Sequence, residues 1–197
     1  MEPAARALSR FSPDSLSYLA LVLAGLSGLC LYLSFEHWEY LLPLGAILVL
    51  LSGLFDALDG KVARIVGSDS RKGDFLDHVL DRYADVLMIG GVAISGWCHP
   101  GLGLLAITGV LLTSYMGTQA QAVGAGRMYS GLLGRADRVV LLFLFPLFQW
   151  GGMLLGTGSI DLGVVKLSVL ELVMVWFALV GNLTAVQRAV RIWRELD

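Results

Sequence analysis

Charge is scarce in this 197-residue sequence: Lys, Arg, Asp and Glu make up 15% of it, against ~25% in an ordinary soluble domain. With 56% hydrophobic residues and a mean hydropathy of +0.74, a soluble globular fold is excluded. Disorder is excluded by the same composition, because the net charge of -2 is small and the apolar content is far above that of chains that fail to bury a core. An excess of positive charge is missing too. A pI of 5.9 offers no basic field for phosphates to follow, so nucleic acid is not an expected partner. Cysteine and histidine are rare, at two and three residues. Cys30 and Cys98 sit far apart in apolar stretches without CxxC spacing, which reads as two small core hydrophobes and argues against a structural zinc site.

What the sequence has instead is long apolar runs. A helix crossing a bilayer needs ~20 mostly apolar residues, and six stretches qualify: 15–34, 38–58, 77–97, 102–123, 137–155 and 165–186. Pro3, Arg6 and Arg10 precede an apolar run longer than the ~7–15 residues of a cleaved signal's core, so the first run is expected to be a retained span. Ahead of it, Ala5, Leu8 and Phe11 lie opposite Arg6 and Arg10, which suits a short interfacial helix. The expectation is an all-α polytopic protein, one domain over 1–197, with six transmembrane helices and a short N-terminal interfacial helix. Basic residues prefer the cytoplasmic side. With six spans and the N-terminus inside, every Lys and Arg except Lys166 falls on one face, which predicts both termini in the cytoplasm and a cytoplasmic-membrane location.

Against this background the acids stand out. Asp56 and Asp59 share a helix face at i, i+3, as do Asp77, Asp81 and Asp85 at i, i+4, i+8. A charge at mid-bilayer costs at least ~2.5–3.5 kcal/mol on insertion scales, and less near an interface. The second and third spans are antiparallel neighbours, so the two faces can meet near the cytoplasmic surface. Converging carboxylates without matching lysines call for a divalent cation, and hard oxygen ligands suit Mg²⁺, Mn²⁺ or Ca²⁺. Asp69 and Asp74 read as helix caps or solvated charges. The glycines at 60 and 73 suit either close approach to a bulky ligand or close helix packing. Arg64 offers a fork for phosphate oxygens.

The run from Asp56 to Asp81 reads D-x2-D-G-x2-A-R-x8-G-x3-D-x3-D. At every fixed position it resembles the signature of the CDP-alcohol phosphotransferase family. That resemblance implies transfer of a phosphatidyl-type group from a CDP-activated lipid to an alcohol, with release of CMP, in a six-helix homodimer whose polar cavity opens to the cytoplasm. It implies Asp56, Asp59 and Asp77 as ligands of two Mg²⁺ or Mn²⁺ ions, Asp81 as general base and further metal ligand, and Gly60, Ala63, Arg64 and Gly73 as the lining of the CDP-lipid pocket.

Gly134-Arg135-Ala136-Asp137-Arg138 is similar to the R-[AP]-E-R stretch of members that use inositol phosphate, with Asp137 in place of Glu. Arg135 and Arg138, with Ser114, are the expected contacts to an acceptor phosphate. The segment after Ser114-Tyr115 departs from those relatives, carrying Gly117 and Gln119 where they have basic residues; Arg127 is a candidate substitute. Inositol phosphate is the favoured acceptor, followed by glycerol phosphate and then serine. A cation-coupled transporter is the rival outside the class, but it predicts mid-span acids and a repeat between halves, neither of which the sequence has.

Overall fold

The structure, a computed structural model, describes residues 2–68, 70–126, 132–161, 163 and 166–196. Asp69 and Arg127 lie outside them. The helices are α1 (Glu2–Leu8), α2 (Pro13–Leu33), α3 (Trp38–Val66), α4 (Arg71–Ala93), α5 (Pro100–Ala122), α6 (Arg135–Leu154), α7 (Val169–Trp176) and α8 (Asn182–Leu196), with a π-helical turn, Phe177–Gly181, joining the last two. By length and apolarity α2, α3, α5, α6 and the continuous Val169–Leu196 can each cross a membrane. α4 has the length, at 23 residues, but its acids and arginines lower its apolarity. The protein is thus all-α and polytopic, with helices where the apolar runs predict them.

Two boundaries differ from expectation in a way that matters for the site. Residues 60–73, expected to break between spans, are mostly helical: α3 continues to Val66, where Gly67 (φ 66°) ends it in the left-handed conformation, and α4 restarts at Arg71. The motif therefore sits on two rigid helices. Ser70 caps α4 by accepting the Gly73 N–H at 3.0 Å, so Gly73 belongs to the first turn. At the opposite end of the bundle, Ser159–Asp161 and Lys166–Ser168 form a two-stranded antiparallel hairpin that hydrophobic periodicity does not announce. Buried Gln149 ties it down, donating to Gly158 O (2.7 Å) and accepting from Val169 N (2.7 Å). The last span accordingly starts at Val169 and runs on to Leu196.

α2 packs on both α3 and α4, α3 on α6, and α5 on α4 and α8. The α2–α4 crossing is close because it is glycine on glycine: a Cβ at Gly91 would lie 2.1 Å from Gly28 O. Lipid supplies no hydrophobic drive for helices to associate, so small residues and interhelical hydrogen bonds carry the packing. Ser27 donates to Gly45 O (3.0 Å) and Ser52 to Ala20 O (2.8 Å) across α2 and α3. α1 forms where the short N-terminal helix is expected. Its Ala5 and Leu8 pack with Leu16, Leu58 and Val62, bracing the half of α3 that carries the aspartates.

Candidate active site

The site forms at one end of the bundle, where α3 and α5 finish and α4 and α6 begin. One carboxylate oxygen each from Asp56, Asp59 and Asp77 lies within 4.8 Å of the other two, across the α3–α4 interface. Ser17, from α2, donates a 2.5 Å hydrogen bond to Asp59 Oδ2, fixing that side chain. Such an all-oxygen cluster fits a hard divalent cation. Asp81, one turn beyond Asp77, is outside this triad; it is buried and faces two arginines instead. Of the four carboxylates expected as ligands, three converge and the fourth, Asp81, stands beside them.

α6 supplies the counter-charges. Its first turn is fixed by Asp137, whose carboxylate accepts the Gly134 N–H at 2.8 Å, so this acid holds the helix end that carries both arginines. The Arg135 guanidinium pairs with Asp56 and Asp81 and lies 3.9 Å from Asp77. Arg138, 5% exposed, pairs with Asp85 and reaches Ser114 Oγ at 3.5 Å. Arg82 lies 3.4 Å from both Asp81 and Asp85. Five carboxylates thus stand beside three guanidiniums, an excess of two negative charges that one divalent cation would offset.

Asp77 and Asp81 border a cavity of about 920 Å³ lined by α4, α5, α6 and α8. Asp77, Asp81, Arg135, Arg138 and Ser114 all line it, so the structure brings the expected acceptor contacts to the same space as the acids. Gly60, Ala63, Arg64 and Gly73 are not among its lining residues. They occupy the end of α3 and the start of α4, and Arg64 is exposed with its Nε donating to Gly60 O (2.9 Å). A Cβ at Gly60 would meet nothing nearer than Arg64 Nη2 at 4.0 Å among the described residues, so helix packing does not require glycine there. Gly117 and Thr118 line the cavity where basic residues are absent from the sequence, and Arg188 from α8 faces it, its Nη1 donating to Thr113 O at 2.6 Å. Sequence reasoning missed Arg188, as it missed Arg82 and Ser17.

The profile of the CDP-alcohol phosphatidyltransferase family matches residues 10–184. The chain belongs to that family. Relatives include the archaetidylinositol phosphate synthase of Pyrococcus horikoshii, 31% identical over 116 residues covering 59% of this chain and 62% of that protein. The phosphatidylinositol phosphate synthase of Cutibacterium acnes is 31% identical over a 206-position alignment covering 100% of this chain and 94% of its own. Among solved structures, the phosphatidylinositol phosphate synthase of Mycobacterium tuberculosis with CDP-DAG bound superposes with a TM-score of 0.72 at 28% identity, covering 97% of this chain and 92% of that one. The same enzyme has also been solved with manganese and citrate. The acidic triad and the Arg135–Asp pairs lie within the residues that the family profile matches.

Proposed function

We propose that this protein transfers a phosphatidyl-type group from a CDP-activated lipid to inositol phosphate, releasing CMP. The acceptor hydroxyl oxygen forms the new bond to the phosphorus nearest the lipid, the P–O bond to the CMP phosphate breaks, and CMP carries away the displaced electron pair. Asp81, at the cavity wall and outside the triad, takes the hydroxyl proton. Asp56, Asp59 and Asp77 would hold Mg²⁺ or Mn²⁺, which would supply charge neutralisation for the pyrophosphate and for the entering and leaving oxygens. Two ions suit the charge balance, because substrate phosphates add to an excess of negative charge already present. Gly60, Ala63, Arg64 and Gly73 line the nucleotide side; Arg135, Arg138, Ser114 and Arg188 receive the acceptor phosphate. α4 serves as the sixth span, both termini and the site face the cytoplasm, and two chains form a homodimer.

One observation carries this reading: Asp77, a member of the carboxylate triad, and the separate carboxylate Asp81 share one cavity with Arg138, Ser114 and Arg188. The names of the relatives support inositol phosphate over glycerol phosphate. The test is a head-group screen in which purified protein, CDP-diacylglycerol and Mn²⁺ meet each alcohol in turn and CMP release is read. Release with inositol phosphate is expected; release only with glycerol phosphate or serine replaces the acceptor, and release with none rejects the enzyme reading.

A further inference from the structure

Two side chains beside Asp81 have no role in the scheme above. Arg82 lines the cavity with its Nη2 held 3.4 Å from both Asp81 Oδ2 and Asp85 Oδ2, while its Nη1 is buried and makes no hydrogen bond among the described residues. Buried donors are almost always paired, so an orphaned one in a cavity wall points to a partner among the molecules the cavity takes up. Asp85 is itself buried and serves two guanidiniums, Arg82 on its own helix and Arg138 across on α6. Without a carboxylate between them, those two cations would repel each other at a site that exposes neither fully.

We propose that Arg82 is a specificity-determining residue that binds the phosphate of the incoming alcohol, and that Asp85 is the positioning residue holding Arg82 and Arg138 together for it. This rests on the acceptor reading given above. The other anion at hand is the pyrophosphate of the CDP-lipid. Arg82, however, shares its wall with Arg138 and Ser114, whereas the nucleotide-side residues Gly60, Ala63, Arg64 and Gly73 are not in that wall. A guanidinium with one nitrogen held by carboxylates and the other unpaired presents a fixed donor to an anion. An alcohol without a phosphate leaves Nη1 unpaired, which makes the site select against it.

The experiment follows CMP release by the purified full chain with Mn²⁺ and CDP-diacylglycerol as inositol phosphate is varied, for wild type, Arg82→Gln, Asp85→Asn and Asp85→Glu. Arg82→Gln is expected to raise the acceptor KM roughly tenfold to hundredfold and to weaken inhibition by inorganic phosphate in proportion, with the CDP-lipid KM and Mn²⁺ affinity unchanged. Asp85→Asn should move the acceptor KM in the same direction, and Asp85→Glu, which keeps the charge, should recover most of it. An unchanged acceptor KM in Arg82→Gln overturns the proposal, as does a rise confined to the CDP-lipid KM. A lowered acceptor KM in Asp85→Asn means that Asp85 merely competes for the arginines, and overturns its positioning role. Should Arg82→Gln lose Mn²⁺ binding and so prove misfolded, Arg82→Lys replaces it: a rise in acceptor KM of a few fold supports the proposal and no rise rejects it. A wild-type protein that uses only unphosphorylated alcohols overturns the acceptor reading, and this inference with it.

Discussion

Arg135, in the first turn of α6, places its guanidinium against the carboxylate of Asp56 on α3, the same residue that contributes an oxygen to the carboxylate triad. One carboxylate therefore has two cationic claimants. Two unit charges 4 Å apart interact by about 4 kcal/mol at an effective dielectric constant of 20, and solvent at this partly exposed arginine reduces that. Arg135→Gln is accordingly expected to tighten Mn²⁺ binding by about tenfold, measured by titration calorimetry on the purified protein without substrates. Weaker binding would show instead that Arg135 organises the carboxylates rather than competing for them.

Asp59 differs from Asp56 in taking its hydrogen bond from Ser17 rather than from an arginine. Asp59→Asn removes a charged ligand and should abolish both Mn²⁺ binding and CDP-lipid binding. Ser17→Ala leaves the ligand but frees its orientation, which should weaken Mn²⁺ binding about tenfold. Full turnover in excess chelator would reject the metal site altogether.

The site was legible in the sequence to the extent that its parts are local. Asp56, Asp59, Asp77 and Asp81 recur at helical spacing on two adjacent helices, so periodicity alone places them on facing surfaces. Arg82 adjoins the motif and pairs with Asp81 and Asp85 of its own helix, but that it shares a cavity wall with Arg138 of α6 is a tertiary fact that no local pattern encodes. Arg188 is further removed, more than a hundred residues from Asp81, and in the sequence it looks like any other positive-inside arginine. The π-helical turn at Phe177–Gly181 precedes it in the same span, with Thr113 Oγ1 donating to Gly181 O at 2.8 Å, and this tertiary detail helps set which way α8 faces. The hairpin after α6 was hidden for a different reason: three-residue strands are too short to show an alternating pattern.

The α2–α4 contact should be the least tolerant of added volume. In Gly91→Ala the new methyl would lie 2.1 Å from Gly28 O, and neither helix can relieve that by turning a side chain. A loss of about 1–3 kcal/mol or more is expected, read as a lowered midpoint of thermal unfolding in detergent. Because α4 carries Asp77 and Asp81, CMP release should fall with it. An unchanged midpoint would mean that the helices are not in glycine contact.

Asp81 must be told apart from the triad by behaviour. It lies against Arg135 and 3.4 Å from Arg82, lines the cavity, and is outside the group of oxygens that converge within 4.8 Å. A residue so placed can receive a proton from a hydroxyl in the cavity without giving up a metal. A general base contributes ~10²–10⁴-fold to rate, and Asp81→Asn keeps the shape and one acceptor oxygen while losing the basic site. Turnover should therefore fall by about that factor, while Mn²⁺ and CDP-lipid affinities change only a few fold, in contrast to Asp59→Asn. Asn at 81 also leaves Arg135 with one carboxylate fewer and so with a tighter hold on Asp56, which lowers Mn²⁺ affinity within those few fold. Titrating Mn²⁺ and CDP-lipid binding beside CMP release decides the matter: parallel losses of binding and turnover make Asp81 a ligand, and near-normal turnover removes it from the chemistry.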